Sequence, residues 1–249
     1  MLRQVFLVTA SVLILVASAG AIVVRHDRPD TQYKRLGTDF PMVCRVGNGM
    51  GILVDSLWVL TSAQVGMALR KDSPTVAFGR RVMQVSHVVV HPEYSSKGHQ
   101  HDLALVRLKY SVTLFYAAGL NSRTDEWGEV ATLVGDGETG NGETGPASGK
   151  RVMRAARNRV DSTWAGWMRF TFNKPPEGDT LEGIGGPGDE GGPALFEKGD
   201  SLFVIGVYSH SPKGSNGKYG SRAYYTRVAD ELDWLWKQIS TSQAIPSKP

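Results

Sequence analysis

Apolar and polar residues alternate in short runs along most of this chain. Residues 52–54 and 58–60 are apolar and flank the polar positions 55–56, a pattern typical of a β-hairpin. Residues 103–106 are all apolar, which indicates a strand buried on both faces. The chain also has 29 glycines and 12 prolines, enough for many tight turns. We therefore predict an all-β fold of short strands.

The pattern changes near the C-terminus. Apolar side chains recur at helical spacing over residues 228–239, at Val228, Leu232, Leu235 and Ile239. Acidic residues occupy the first turn and Lys237 the last, which suits the helix dipole. We predict a C-terminal helix over 228–239 that packs on the strands, followed by a polar tail over 240–249.

The N-terminus is typical of an export signal. Arg3 precedes an uncharged apolar run over 5–16, and two Ala-x-Ala cleavage sites end at Ala19 and Ala21. We predict a signal peptide over residues 1–21 and an exported protein, periplasmic or secreted. The alternative is an uncleaved membrane anchor over residues 5–24, because no charge interrupts that segment.

The charge and cysteine content of the chain limit which classes of partner and which covalent links it can have. The net charge of +4 is too small to indicate a nucleic acid or a membrane surface. Arginines and a lysine between 150 and 159 are interpreted as a solvated face, with a polyanion site as the alternative. Cys44 is the only cysteine, so an intramolecular disulfide is excluded, and its apolar neighbours predict a buried side chain. No cofactor or metal is predicted.

Three further segments carry candidate chemistry. Residues 60–65 read LTSAQV, residues 101–108 read HDLALVRL, and residues 188–193 read GDEGGP. They resemble, in this order, the base, acid and nucleophile segments of the trypsin/chymotrypsin serine proteases. From Ile22 onward, the key positions are separated by 42, 38 and 88 residues, spacings of the kind that the family shows.

The resemblance implies a fold. A trypsin-like domain over 22–239 would contain two antiparallel six-stranded β-barrels, at about 22–118 and 119–227, with the C-terminal helix over 228–239. The strings at 25–27 and 181–193 most resemble bacterial, cysteine-poor members. Gly49 and Val65 also stand where the family often has a bridging cysteine pair.

The resemblance also assigns roles, and this chain departs from two of them. Gln64 stands where the family has its histidine base, and Glu190 stands where it has its serine nucleophile. Asp102 matches the acid that orients the base. The N–H groups of Gly188 and Glu190 match the pair that stabilises the oxyanion.

These two replacements impair different steps. The Gln64 amide is not a base at physiological pH. A Glu190 carboxylate would form an anhydride that reverts to reactants, and it places a negative charge where a second one must develop. At about 4 Å and an effective dielectric near 20 this repulsion is about 4 kcal/mol, roughly a thousandfold in rate.

The resemblance places further site residues. Ile184 falls at the base of the specificity pocket, and Ser209, His210 and Ser211 fall along the edge that pairs with substrate backbone. An ion pair between the N-terminal amine of a chain cleaved at Ile22 and Asp189 would shape the oxyanion loop.

Two functions remain open at this point. The favoured one is an exported, proteolytically inactive homologue that binds a protein or peptide. The alternative is a hydrolase with residual or reassigned activity that uses Asp102 and Glu190 as a carboxylate pair. The side chains of His99 and His101 are expected to point away from the cleft, and a metal bound by Asp102, Glu190 and a histidine is disfavoured.

Overall fold

The computed structural model describes residues 22–69, 74–137, 140–147, 149 and 151–243. The predicted signal peptide over 1–21 and the end of the tail from 244 lie outside these residues, so both stay predictions. None of the described helices is long and apolar enough to cross a bilayer.

The described residues form strands, three α-helices and one 3-10 helix. In chain order the strands are β1 (Val23–Val24), β2 (Val43–Val46), β3 (Gly49–Asp55), β4 (Trp58–Thr61), β5 (Thr75–Phe78), β6 (Arg81–Val90), β7 (Ala104–Leu108), β8 (Gly119–Leu120), β9 (Val130–Gly135), β10 (Gly140–Asn141), β11 (Gly145–Pro146), β12 (Arg154–Trp164), β13 (Trp167–Thr171), β14 (Gly183–Ile184), β15 (Pro193–Lys198), β16 (Ser201–His210) and β17 (Arg222–Arg227). The helices are α1 (Asp30–Gly37), α2 (Ala63–Ala68) and α3 (Leu232–Gln243), with the 3-10 helix Val228–Glu231 before α3.

The first barrel closes in the order β2-β3-β4-β7-β6-β5, because β2 pairs with both β3 and β5. All its pairings are antiparallel. The hairpin predicted around positions 55–56 joins β3 to β4. Strand β7 is buried at four of its five positions, as the continuous apolar run predicted.

The second barrel closes in the order β15-β9-β12-β13-β17-β16, with β16 returning to pair with β15. Strand β8 adds to β16 in parallel, outside this ring. Two six-stranded antiparallel barrels with a C-terminal helix are therefore present, which confirms the predicted fold class.

Strand β1 packs against the second barrel, although the predicted boundaries grouped it with the first. It pairs antiparallel with β14 and parallel with β10. Ile22, Val23 and Val24 belong to the same buried cluster as Phe170 and Ile205 of the second barrel. The domain boundaries themselves stay a prediction.

The C-terminal helix is longer than predicted. A 3-10 turn over Val228–Glu231 leads into α3, which continues to Gln243 instead of ending at residue 239. Leu235 and Ile239 are buried in the larger apolar cluster, which also contains the first-barrel residues Trp58 and Leu105. The periodicity therefore located the buried face correctly, while the polar residues after 239 extend the helix without needing to be buried.

The basic run is not a uniformly solvated face. Arg154 is only 2% exposed, and its Nε and Nη2 donate to Asp30 of α1 at 2.6 and 2.9 Å. Arg157 and Arg159, by contrast, are exposed on β12. A buried arginine requires such a bidentate partner. The distant acid that pairs with Arg154 could not be identified from the run itself.

Candidate functional site

Helix α2 places Gln64 at the junction of the two barrels. Ser62 caps this helix, with its Oγ accepting from the Val65 N–H at 3.3 Å. Gln64 lies in the first turn, and its backbone N–H donates to Asp102 Oδ1 at 3.1 Å. Its side-chain Nε2 donates to Asp102 Oδ2 at 2.8 Å. The amide therefore supplies the hydrogen bond that an imidazole N–H would supply at this position.

Asp102 is fully buried just before β7. Besides the two bonds from Gln64, its Oδ2 accepts from Ser209 Oγ at 2.6 Å. A buried carboxylate is tolerated when several donors satisfy it. Asp102 thus accepts three hydrogen bonds from neutral donors within the protein.

His99 faces Gln64, contrary to the expectation that it points away from the cleft. Its Nδ1 lies 3.2 Å from Gln64 Nε2. His99 and His101 both have left-handed backbone, with φ of 53° and 50°, so the packing around each ring, and not φ alone, decides which one faces the cleft. His101 does turn away, as expected, and its Nδ1 contacts Glu231 Oε1 at 2.8 Å.

His99 also stacks on His210, with ring centroids 4.2 Å apart. Tyr224 stacks on His210 at 5.2 Å, and Trp167 meets it edge-on at 5.3 Å. Burial, and then the nearby His99, lower the pKa of His210 to about 4. The predicted contact residue His210 is therefore the neutral centre of an aromatic cluster beside Gln64.

The loop that carries Glu190 fits closely against the first barrel. Met50 N–H donates to the Glu190 carbonyl at 2.8 Å. Gly191 has φ of 84°, and a Cβ there would lie 2.2 Å from Thr61 Oγ1. Glycine is required at this position by conformation and by space. The glycine-rich motif therefore predicted the loop correctly even though its central residue differs.

The Glu190 side chain turns back onto its own loop. The N–H of Gly188 donates to Glu190 Oε2 at 2.7 Å. Burial raises the pKa of Glu190, and Asp102 adds to the rise, while the backbone N–H groups of Glu190 and Gly188 and the Arg151 charge oppose it. The two N–H groups assigned to an oxyanion thus act on a carboxylate of the chain itself.

A charged cluster that the sequence did not indicate supports this loop. Arg151 Nη2 donates to Asp136 Oδ1 at 2.7 Å and lies 3.4 Å from the Gly188 carbonyl. Arg45 also donates to Asp136, from strand β2. Asp136 is 3% exposed, so it is buried between two arginines from different segments. The cluster joins the first barrel to the back of the oxyanion loop.

A buried tyrosine, Tyr208, lies between the positions that the resemblance assigns to the specificity pocket. Ile184 is 1% exposed and pairs with Val23, so it is a strand residue. A Cβ on the next residue, Gly185, would lie 3.3 Å from the Tyr208 ring, and Tyr208 Oη bonds Ser211 Oγ at 2.9 Å. Tyr208 is 2% exposed. Tyr208 therefore extends from beside Ile184, the predicted base of the pocket, to Ser211 on its predicted edge. The sequence of β16 predicted a core strand and did not indicate this position.

The structure does not pair Ile22 with Asp189. Ile22 is internal to the full chain, has no free amine there, and is buried against Gly183. The Asp189 carboxylate accepts from the Gly186 and Gly137 N–H groups at 3.1 and 3.4 Å. Burial raises its pKa well above the usual range. The ion pair of a chain cleaved at Ile22 stays a prediction.

Gly49 and Val65 lie against each other. A Cβ at Gly49 would come 2.4 Å from Val65 Cγ2 and 2.6 Å from the Glu190 carbonyl. The two positions that the resemblance matched to a cysteine pair are thus adjacent in space. Direct packing replaces a covalent link here and holds α2 against the Glu190 loop.

Chemically, the site brings together the Gln64 amide and the Asp102 and Glu190 carboxylates. Ser209 has a hydroxyl nearby, but it is 1% exposed and bonded to Asp102. Among the described residues, three histidine and glutamate side chains group closely enough to hold a metal ion, and none of them belongs to this site.

The chain is similar in sequence to serine proteases whose family has this fold. The family profile described as Trypsin matches residues 33–235. The chain is 27% identical to the CLIP domain-containing serine protease B4 of Anopheles gambiae, over 63% of this chain and 47% of that protein. It is 26% identical to the vitamin K-dependent protein C of Rattus norvegicus, over 76% of this chain and 45% of that protein. The chain spans about half the length of these two relatives.

Two further similarities complete the comparison. The trypsin Tyr p 3.0101 of Tyrophagus putrescentiae is 27% identical, over 74% of this chain and 70% of its own length. The structure of neuropsin, a serine protease expressed in mouse brain, superposes with a TM-score of 0.65 at 21% identity, covering 88% of this chain and all of that one. These relatives are eukaryotic, so the resemblance to bacterial, cysteine-poor members stays a prediction.

Proposed function

This chain belongs to the trypsin family, and we propose that within that family it is an exported, proteolytically inactive member that binds a protein or peptide. The observation that carries the proposal is the 2.7 Å hydrogen bond from the Gly188 N–H to the Glu190 carboxylate. A substrate carbonyl would have to displace that carboxylate from the donors that stabilise an oxyanion.

Two other features support inactivity. Gln64 holds Asp102 with the donor geometry of a base but has no lone pair basic enough to accept a proton. Tyr208 fills the space between Gly185 and Ser211, where the side chain of a substrate would enter. Tyr208 thus opposes substrate entry, Gln64 opposes proton transfer, and the Glu190 carboxylate opposes stabilisation of the oxyanion.

Binding is supported by the surface next to this site. His99, His210, Trp167 and Tyr224 form a cluster of rings beside Gln64. Trp167 and Tyr224 are half-buried, and Trp164, which meets Tyr224 edge-on, is 42% exposed. Rigid aromatic rings with polar tips give contact area at low entropic cost and are favoured at protein interfaces. The partner would therefore be a peptide segment with apolar or aromatic side chains.

Inactivity is tested with a phosphonylating serine reagent and a broad panel of peptide substrates. The native protein should neither label nor cleave, and Gln64→His alone should not label because no hydroxyl is introduced. Gln64→His combined with Glu190→Ser should label. Peptide cleavage by the native protein would contradict the proposal; if Glu190→Ala abolished that cleavage, the carboxylate-pair hydrolase would be favoured instead.

Binding is tested by selecting peptides from a displayed library on the native protein. Peptides that use the aromatic cluster should lose binding to His210→Ala and to Trp164→Ala. They should keep binding to His87→Asn, which changes an exposed histidine on the first barrel. Selected peptides that bind all three variants equally would place the binding surface elsewhere.

A further inference from the structure

A second cluster of titratable side chains lies on the far side of the loop that carries His99. His91 follows β6, His101 directly precedes Asp102, and Glu231 ends the 3-10 helix before α3. His91 and Glu231 are each 6% exposed. Three distant parts of the chain therefore bring two imidazoles and a carboxylate together in a largely buried site.

The ligand atoms of these three side chains all lie within 4.8 Å of one another. His91 Nε2 is 3.3 Å from Glu231 Oε2, and His101 Nδ1 is 2.8 Å from Glu231 Oε1. Zinc bound tetrahedrally at about 2.0–2.1 Å separates its ligand atoms by about 3.3 Å. The cluster is thus already close to the dimensions of a zinc site.

We propose that His91, His101 and Glu231 form a binding site for a divalent transition metal, with Zn²⁺ as the best-matched ion. Two histidines and one glutamate are a ligand set that zinc favours, whereas Ca²⁺ and Mg²⁺ require oxygen ligands. The site shares no residue with the Gln64–Asp102–Glu190 site, so it stands whether or not the proposed function is correct.

The surroundings position the rings for this role. His91 and His101 stack with centroids 4.9 Å apart and 12° between their planes, and Trp234 packs on His91 at 4.6 Å. Packing of neighbouring rings against a ligand in this way fixes the direction of its lone pairs. Little side-chain entropy is then lost when an ion binds.

A route for the ion, and a carboxylate that orients His101, are also present. His101 is 35% exposed, and its Nε2 lies 3.5 Å from the carboxylate of Glu93, which is 73% exposed. The Glu93 N–H donates to His91 Nδ1 at 3.2 Å. Coordination through His91 Nε2 places the ring proton on Nδ1, which releases the Glu93 backbone. The Glu93 carboxylate stays beside His101 Nε2, the ring nitrogen that does not face Glu231, so a water from the exposed side would complete the coordination sphere.

Binding would couple to the neighbouring cleft. His101 directly precedes Asp102. His99 lies two residues before His101 and faces Gln64. Both histidines already contact Glu231, and an ion bound by all three would hold this loop against the 3-10 helix more firmly. The loop that carries His99 would then be fixed in the conformation that stacks on His210.

The test is a thermal melt of the full chain with ZnCl₂, with MgCl₂ and CaCl₂ at the same ionic strength. Only Zn²⁺ should raise the melting temperature, by roughly 5 °C when the free zinc concentration is about a hundred times Kd. Native mass spectrometry should show one zinc ion per chain. The absence of a zinc-specific shift, or a shift that Ca²⁺ and Mg²⁺ reproduce, would overturn the proposal.

Variants locate the ion. Glu231→Gln, which keeps the size of the side chain, and His101→Asn, which keeps a polar amide, should each lose the zinc shift, whereas His87→Asn on the exposed face of β6 should keep it. His210→Asn should also keep the zinc shift. It tests the other close pair of histidines, His99 and His210, which is not part of the proposed site. Retention in either ligand variant, or loss in His210→Asn, would refute this location.

A spectroscopic readout avoids dependence on variant folding. Co²⁺ added to the native full chain should give the strong visible absorption of a tetrahedral site with nitrogen and oxygen ligands, and Zn²⁺ should displace it. The weak spectrum of octahedral aqueous Co²⁺, unchanged by the protein, would contradict the proposal.

Discussion

Gly188 donates its backbone N–H to the carboxylate of Glu190, two residues later in the same loop, at 2.7 Å. Glu190, which the resemblance matches to the nucleophile, therefore also takes up the hydrogen-bond donor of Gly188. A serine could not reach this position in the same way, because its side chain is shorter by two heavy atoms. The loop geometry does not depend on the side chain at position 190, because the loop glycines and backbone contacts with the first barrel hold it.

Gln64→Ala should destabilise the protein by about 1–3 kcal/mol, because the buried Asp102 carboxylate would lose the donor at 2.8 Å. Gln64→His should lose less, since an imidazole N–H can donate to the same oxygen. Urea denaturation measures both, and Gln84→Ala on the exposed face of β6 is the control. A Gln64→Ala variant as stable as the native protein would show that the contact contributes nothing.

Tyr208→Ala should destabilise the protein by about 3–5 kcal/mol and leave a cavity between Gly185 and Ser211. Such a cavity should bind a small aromatic molecule such as indole, detected as a rise in the melting temperature of the variant alone. Tyr208→Phe keeps the ring and should bind no indole, with a loss of about 1 kcal/mol from the hydroxyl contact. Equal indole shifts in both variants would argue against a pocket filled by Tyr208.

The full, uncleaved chain should lose stability as pH rises because of Asp189. Burial raises the pKa of this carboxyl in the folded state, so the fold favours the protonated form. Its contribution is fully present below about pH 4, the ordinary value for aspartate, and is lost as pH rises through the raised pKa. Asp189→Asn should therefore melt progressively higher than the native chain between pH 4 and pH 8. A constant difference across that range would mean that folding does not raise the pKa of Asp189.

Cleavage before Ile22 should reverse the sign of that substitution. A free Ile22 amine would neutralise the buried carboxylate, and Asp189→Asn would then remove one half of an ion pair and cost about 3 kcal/mol or more. The measurement is N-terminal sequencing of the exported protein, followed by melting of the cleaved forms. A mature chain that begins at Gly20 or Met1, or one in which Asp189→Asn leaves stability unchanged, would contradict the ion pair.

Local sequence determined the elements that depend on local chemistry. Alternating apolar positions placed the hairpin at β3 and β4, the continuous apolar run placed β7, and the helical periodicity placed the buried face of α3. The glycine-rich motif at 188–193 located a turn that admits no side chain at Gly191. These features follow from backbone conformation and from burial on one face, which a short window of residues records.

Tertiary structure alone decided where several side chains point. Stacking on His210 accompanies the turn of His99 onto Gln64. The return of β16 across the second barrel places Tyr208 beside Gly185 and Ser211. The meeting of His91, His101 and Glu231 likewise depends on closing the chain over more than a hundred residues. Such contacts join residues remote in sequence, and side-chain direction depends on each residue's own φ and on the packing around it. No periodicity or motif along the chain encodes those quantities.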